Sequence, residues 1–250
     1  MAGHNKWSKV KHIKARVDAI KGRVFSKCAH EIAIAARAGG GDPMLNARLR
    51  TAIDNAKAVS MPRENIDRAI KKGTGELSGV TIHEVTYEGY GPSGIAFLIE
   101  IATDNLNRSA QDIRTIFSKN HGATATPGAV AYQFDRKGEI VLAASAGSEE
   151  FILEAAILAG ADDVQSDEDE HTIFTQPNLL GNVAHELRAL GLPIQSEKFT
   201  SLPQTTVTID DINIARQVLK LYDILDAYDD TLNVFTNFAV SDTILGELDS

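Results

Sequence analysis

The sequence is poor in cysteine and in long apolar runs. Its one cysteine, Cys28, excludes an internal disulfide framework and a cysteine-rich zinc site, and this scarcity favours a reducing cytoplasm. The longest apolar run, 95–102, is interrupted by Glu100 and is shorter than the roughly 18 residues that span a bilayer. Residues 1–17 have no apolar core or cleavage site, so they do not indicate a secretory signal. They lack acidic residues, as a mitochondrial presequence does, but they are rich in Lys instead of Arg and poor in Ser, which disfavours that interpretation.

The sequence motifs of common enzymes are also missing. The chain has no G-x-x-x-x-G-K-[ST], no G-x-S-x-G and no H-E-x-x-H. The glycine cluster at 89–94 lies between two predicted strands, which is typical of a hairpin turn and not of a phosphate cradle. The acidic run at 162–171 lacks the ligand spacing of a calcium loop and is interpreted as a solvated hairpin tip. We therefore expect no catalytic residues, metal or cofactor, with an enzyme that uses an interdomain cleft as the less favoured alternative.

Positive charge is scarce in most of the chain and is concentrated at its start. Residues 1–75 contain 16 Lys and Arg against six Asp and Glu, a net charge of +10, whereas residues 76–250 have a net charge of −19. Such an asymmetry is typical of a basic interaction module attached to an acidic body. A cationic helical surface neutralises phosphates and releases their counterions, which gives affinity with little sequence readout. We therefore predict a nucleic-acid partner for this block.

Two other partners for the basic block are alternatives to nucleic acid. An anionic membrane is disfavoured because the apolar face of the first helix is built of Val, Ile and Ala, which anchor weakly. The acidic body of the chain, or another protein, is the second alternative. Trp7 lies among the cations, where stacking on an exposed base and packing at the end of the helical bundle are both open. The predicted nucleic-acid-binding set is Lys6, Lys9, Lys11, Lys14, Arg16, Lys21, Arg23, Lys27, Arg37, Arg48, Arg50, Lys71 and Lys72.

Apolar periodicity predicts that the first block is a small bundle of three helices. A stripe from Val10 to Val24 predicts a helix that continues to the three glycines at 39–41. Asp42 and Pro43 predict the cap and the first residue of a second helix. The third helix is expected over 60–73, where two lysines and a glycine end it.

The rest of the chain alternates between strands and helices. A hairpin is expected from 82–90 and 95–103, followed by a helix at 108–119 and a strand at 130–134, with a turn at 136–138. From 139 the predicted order is β-α-β-β-α-β, the ferredoxin-like unit, and a strand, a helix and a strand follow after Pro203. We therefore predict an α+β multidomain fold whose third domain is inserted in the second. The expected domains are a basic helical domain at 1–78, an α+β domain at 79–138 and 203–250, and an acidic α+β domain at 139–202.

The first 140 residues resemble the YebC/PmpR family. The resemblance is carried by MAGHNKWSKVKHIKARVDAIKGRVFSK, AARAGGGDPMLNARLRTAIDNAKAVSMPRENIDRAIKKGTGE, VTYEGYGPSGIA, TDNLNR and TPGAVAYQFDRKG. Asn5 stands where the family more usually has Ser, and the remainder resembles the family only in element order and acidic composition. The resemblance implies three domains, the third inserted in the second, and a role as a DNA-binding transcriptional regulator. Some members, including mitochondrial relatives, resemble translation factors that act at the ribosome and ease the synthesis of difficult peptide runs.

Both roles place the protein against nucleic-acid phosphates, so charge does not distinguish between them. Outside the basic block no helix directs Arg, Asn or Gln towards base edges, which favours recognition of shape or backbone. We therefore predict a cytoplasmic regulator of gene expression that binds DNA, with an rRNA-binding translational activator as the alternative. The acidic domains are the expected contact for the ribosome or the transcription machinery.

Overall fold

The computed structural model describes residues 17–77, 82–240 and 244, with the backbone alone for 17–23. Its first part is the predicted three-helix domain. The helices are α1 (Val17–Gly39), α2 (Ala47–Ala58) and α3 (Arg63–Thr74). They pack around a small core because each helix buries one apolar stripe. The largest members of this core are Ile32, Leu49, Ile53, Met61 and Ile66.

The start of α2 differs from the prediction because its cap is Asn46 and not Asp42. The side-chain oxygen of Asn46 accepts the backbone N–H of Leu49 at 3.0 Å, and its amide nitrogen donates to a backbone carbonyl of α1 at 2.7 Å. Asp42 instead accepts the N–H of Met44 at 2.8 Å and closes an isolated turn that contains Pro43. The helix therefore begins where one buried amide satisfies its N-terminus and also ties it to α1.

The end of α3 also lies beyond the predicted residue. Gly73 was expected to stop the helix, but the left-handed residue that ends it is Gly75, with φ +82°. Gly73 lies inside α3, directly against the backbone of α1. A Cβ atom at this position would be 2.2 Å from the carbonyl oxygen of Ala33. The glycine therefore permits close approach of two helices, which the local sequence does not reveal.

A four-stranded antiparallel sheet with two covering helices forms the second domain. Its strands are β1 (His83–Tyr90), β2 (Ala96–Thr103), β3 (Ala123–Ala125) and β9 (Thr231–Thr236), in the order β3-β1-β2-β9. The predicted hairpin is confirmed, with His83 opposite Thr103 and Tyr90 opposite Ala96. Helices α4 (Leu106–Lys119) and α7 (Ile212–Asp226) cover the sheet and bury Phe117 and Leu221 beside Phe97.

The C-terminal segment contributes to this domain in a different way from the one predicted. β9 joins the sheet beside β2. β8 (Val207–Ile209) does not join it, because it pairs in parallel with β10 (Phe238–Val240), a strand that was not predicted. Periodicity shows that a strand exists but not which strand it pairs with.

The third domain has the predicted β-α-β-β-α-β order. Its elements are β4 (Phe134–Ala143), α5 (Glu149–Ala159), β5 (Asp163–Ser166), β6 (Glu170–Thr175), α6 (Leu180–Ala189) and β7 (Ile194–Pro203). The strand order β5-β6-β4-β7, antiparallel throughout, is that of a ferredoxin-like sheet. The acidic run forms the turn of the β5–β6 hairpin, as predicted.

The predicted turn at 136–138 is wrong, because β4 runs straight through these residues. Gly138 pairs with Thr175 on one side and Phe199 on the other. A Cβ on Gly138 would lie 2.8 Å from the Cβ of Leu180, so glycine serves close packing here and not a turn. The strand expected at 130–134 is also wrong over most of its length, since 131–133 form a 3-10 turn.

The fold class is confirmed as a three-helix domain with two α+β domains, the third inserted in the second. β4 and β7 both cross the predicted boundaries at 138/139 and 202/203. The exact domain limits therefore stay a prediction. Within the described ranges, no helix has the length and apolar character needed to cross a membrane.

Candidate nucleic-acid interface

The helical domain packs against the second domain through a small apolar cluster. Ala33 and Ile34 of α1 pack against Ile82, Ala102 and the partly buried Leu232. The alanines contribute little bulk to this contact, so α1 approaches the sheet closely. This contact determines which faces of the basic domain are covered and which are left to solvent.

A polar contact joins the helical domain to the third domain. The hydroxyl of Thr51 donates to the carboxylate of Glu197, and the side-chain amide of Asn55 donates to the Glu197 backbone carbonyl at 2.8 Å. The same carboxylate pairs with Arg188 at 2.7 Å and is largely buried. One face of α2 is therefore engaged by the acidic domain and is not available to nucleic acid.

The predicted site residues divide into three groups in the structure. Five of them lie outside the described residues, and two more lie on the described backbone of α1 without a described side chain. The first group is Lys6, Lys9, Lys11, Lys14 and Arg16, and the second is Lys21 and Arg23. The side chains of the remaining six are described, and they fall on different surfaces.

Two of the six cations are already paired with carboxylates of the described chain. Arg48 lies 3.1 Å from Glu31 and 3.2 Å from Glu84, and Lys27 lies 2.7 Å from Asp226. Burial alone would lower the pKa of Arg48, but the two carboxylates outweigh it and raise that pKa. Burial raises the pKa of Glu31, and Arg48 opposes this. These cations help to hold the helical domain on the acidic body, and their role as phosphate contacts stays a prediction.

Arg37 and Lys72 line one cavity at the C-terminal ends of α1 and α3. The cavity has a volume of about 440 Å³, and Gly40, Thr74 and Ile82 also line it. The guanidinium of Arg37 donates to the Ile82 carbonyl oxygen, which holds its head group at this place. Cations at helix C-termini are favoured by the helix dipole, so the two charges are stable here without a bound anion. Two of the predicted cations therefore line the same cavity.

Further cations are exposed on α2 and α3. Arg50 and Lys71, both predicted, have exposed side chains, as does Arg68, which was not predicted. Among the described residues, none of these three has a carboxylate within 4 Å. The side chain of Arg63 is 93% exposed and lies 3.8 Å from Asp67. Arg68 could have been found from the sequence, because it lies opposite the apolar stripe of α3.

A larger cleft of about 620 Å³ lies where the three domains meet. Its cations are engaged in ion pairs: Arg136 contacts Glu100 within the cleft, and Lys198 lies 2.9 Å from Glu139. Burial, with a smaller effect of the Glu31 carboxylate, raises the pKa of the Cys28 thiol at its wall. A raised pKa leaves less thiolate, so this cysteine is a poor nucleophile. Within the described residues, the cleft presents satisfied ion pairs and no activated nucleophile.

The TDNLNR motif has a structural role at the start of α4. The side chain of Asn105 caps the helix by accepting the N–H of Arg108 at 3.1 Å. The carboxylate of Asp230 accepts hydrogen bonds from Thr103 at 2.8 Å, Arg108 at 2.9 Å and Ser109 at 3.0 Å. The motif therefore ties α4 to the loop before β9, and its arginine is engaged within the domain.

Comparison with known proteins covers almost the whole chain. The model of the TACO1/YebC protein N-terminal domain matches residues 5–76, and that of the TACO1/YebC second and third domain matches 82–238. The chain belongs to the TACO1/YebC family. The resemblance found in its sequence motifs is thereby confirmed.

Relatives of this family align along their full length. A protein of Akkermansia muciniphila is 58% identical over 250 residues, covering 99% of this chain and 100% of the relative. One from Opitutus terrae is 47% identical and covers 98% and 99%. Both are named "Probable transcriptional regulatory protein". The crystal structure of a conserved hypothetical protein from Aquifex aeolicus matches with a TM-score of 0.85 at 47% identity, covering 92% of this chain and 94% of that one.

Proposed function

We propose that this protein is a non-enzymatic regulator of gene expression that binds nucleic-acid backbone through its basic helical domain. Its first role is that of a DNA-binding transcriptional regulator in the cytoplasm, and the names of its relatives support the transcriptional part of this role. The observation that carries the proposal is the charge separation, +10 over residues 1–75 and −19 over the rest. The basic domain attracts phosphates while the acidic domains repel them, so the protein has one orientation on its target.

The described surface supports backbone contacts more than base readout. Arg50, Arg68 and Lys71 are exposed on two helices, and Arg37 and Lys72 converge on a cavity between helix ends. Such a spread of single cations fits phosphates along a strand, whereas a recognition helix concentrates its base-contacting side chains on one face. Binding is therefore expected to depend strongly on salt and weakly on sequence.

The interdomain cleft does not favour an enzyme. Its cations Arg48, Arg136 and Lys198 are each paired with a carboxylate, and burial raises the pKa of the Cys28 thiol. A catalytic site needs a nucleophile or a base that is free to act on a bound molecule. The cleft instead joins the three domains, and this favours a binding protein.

A translation factor bound to rRNA is the second candidate. The described cations favour it, since they are dispersed and no described helix concentrates base-reading side chains on one face, and folded RNA is recognised largely by shape and backbone. Ribosome co-sedimentation and chromatin crosslinking from the same cells distinguish the two roles. Recovery with ribosomes alone would assign the translational role, and recovery with chromatin alone the transcriptional one.

Salt dependence tests the phosphate contacts directly. With about five contacts, the logarithm of the affinity for duplex DNA should fall against the logarithm of the salt concentration with a slope of roughly −4 to −5. The triple variant Arg50→Ala, Arg68→Ala, Lys71→Ala should make this salt slope shallower by up to about 3. It should also weaken DNA binding at least about 10-fold at moderate salt. Fluorescence anisotropy of labelled DNA over a salt series measures both quantities.

The matched control removes three exposed cations from the second domain. Lys119→Ala, Arg216→Ala, Lys220→Ala changes the net charge by the same amount, and all three side chains are exposed. We expect this control to leave the slope unchanged. A wild-type slope near zero, or equal slopes for the two triple variants, would contradict the proposed interface.

A further inference from the structure

The outer face of α5 is apolar although it faces solvent. Leu158 is 80% exposed, Ile157 61%, Phe151 47% and Leu153 42%. These four side chains lie on one helix of 11 residues. Scattered apolar residues are ordinary on a protein surface, but four of them exposed on one short helix indicate a candidate interaction site.

Helix geometry places an acidic row through the middle of this face. Glu150 and Glu154 are one turn apart and lie opposite the buried stripe of Ile152, Ala155 and Ala156. On one side the acidic row is flanked by Leu153 and Ile157, and on the other by Phe151 and Leu158. The outer face therefore consists of two apolar rows with two carboxylates between them.

We propose that this face of α5 binds a basic amphipathic helix of a partner protein. Any partner that covers the apolar rows must also cover Glu150 and Glu154, because these lie between them. Burying a carboxylate without a counter-charge is costly. A partner that carries lysine or arginine between two rows of apolar side chains satisfies the carboxylates and the apolar rows together.

The charge of the surrounding domain determines the sign of the charge that its partner must carry. Residues 139–202 contain 12 acidic and two basic residues. Both cations are already paired, Arg188 with Glu197 at 2.7 Å and Lys198 with Glu139 at 2.9 Å. A second copy of the same face would bring Glu150 and Glu154 against their own counterparts, and a nucleic acid or an anionic membrane would meet the same repulsion. A cationic protein segment is the occupant that this charge favours.

The inference goes beyond the proposed nucleic-acid interface, since α5 lies in a different domain. A protein that holds nucleic acid with its helical domain would in this way hold a basic protein with its acidic domain. Such a bridge joins two components of one nucleoprotein assembly. The two surfaces can be tested separately, because variants of α5 leave the cations of α2 and α3 intact.

Anisotropy titration with two synthetic peptides tests the α5 face on the full chain. The first peptide is an amphipathic helix with a row of lysines between two rows of leucines, and the second has glutamate in place of every lysine. We expect the lysine peptide to bind and the glutamate peptide not to. The variant Glu150→Lys, Glu154→Lys should bind the lysine peptide at least about 10-fold more weakly than the wild type, and it should bind the glutamate peptide instead. The variant Ile157→Ser, Leu158→Ser should weaken binding of the lysine peptide by a similar factor, because it removes apolar contact area.

A charge-matched control separates this face from general attraction to an acidic protein. Glu168→Lys, Asp210→Lys makes the same change in net charge at two exposed positions away from α5. Equal weakening by this control and by the α5 charge reversal would overturn the proposal. Self-association of the protein that is abolished by Ile157→Ser, Leu158→Ser would also overturn it, in favour of a second copy on this face. Unchanged binding of DNA by every α5 variant is expected, and unchanged circular dichroism and thermal unfolding of the full chain show that the variants are folded.

Discussion

Replacing Gly73 by alanine is expected to separate α3 from α1 and to destabilise the helical domain by about 3 kcal/mol or more. The added Cβ would lie 2.2 Å from the carbonyl oxygen of Ala33 and 2.8 Å from the Cβ of Ala36. Neither atom is the end of a flexible side chain, so one of the two helices must shift. Hydrogen exchange in α1 and α3, measured beside thermal unfolding of the full chain, reports this change.

The same substitution, Gly73→Ala, is expected to affect DNA binding. Gly73 lines the cavity that holds Arg37 and Lys72, so a shift of α3 moves the two cations apart. We expect Gly73→Ala to weaken DNA binding as well as to expose α3 to exchange. The loss of affinity should be accompanied by a shallower salt slope, because fewer phosphates are contacted together.

Gly181→Ala is the matched control for this change. Gly181 also lies inside a helix, α6, but nothing lies within 4 Å of a Cβ at its position. Alanine lowers the conformational entropy lost on folding, so this variant should be more stable by roughly 0.5–1 kcal/mol. Equal effects of the two substitutions would show that α1 and α3 do not approach as closely as described.

Replacing Glu88 by glutamine is the second change with a large expected effect, a loss of about 3 kcal/mol in the free energy of unfolding at neutral pH. Glu88 is buried, and its carboxylate accepts three backbone hydrogen bonds, from Gly128 at 2.6 Å, Val130 at 2.6 Å and Ala131 at 2.9 Å. Glutamine has one acceptor oxygen and a donor amide, so at least one of these N–H groups loses its partner. Denaturant unfolding of the full chain measures the loss.

The pH dependence of stability shows whether the charge of Glu88 is the cause of this loss. Burial alone would raise the pKa of Glu88, but the three backbone donors outweigh it and hold the pKa below its usual range. Its charge therefore stabilises the fold above the unfolded-state pKa, and this contribution disappears as the pH falls through the lower folded-state pKa. The difference between wild type and Glu88→Gln should be full at pH 7 and should shrink on acidification. A difference independent of pH would refute the charge-based explanation, and Glu168→Gln, at an exposed hairpin tip, is the neutral control.

Much of the fold was predictable from the sequence because the signals that define its elements are local. The order of strands and helices in the inserted domain follows from periods of two and 3.6 residues and from turn residues. The errors concern residues whose role depends on a distant partner. Gly138 looked like a turn but allows β4 to pack closely on Leu180, and Gly73 looked like a helix end but allows α3 to cross α1. A glycine that serves close packing has the same sequence signal as one that serves a turn.

The sequence by itself determined the charge separation, the family resemblance and the element order, because each depends only on which residues are present and in what order. The tertiary structure alone decided which cations are available. Arg48 is paired with Glu84, 36 residues away, and Lys27 with Asp226, 199 residues away, whereas Arg50 and Lys71 lie exposed. It also showed that α5 presents two apolar rows and an acidic row to solvent. Pairing and exposure depend on distances in space, and these are established only when the chain has folded.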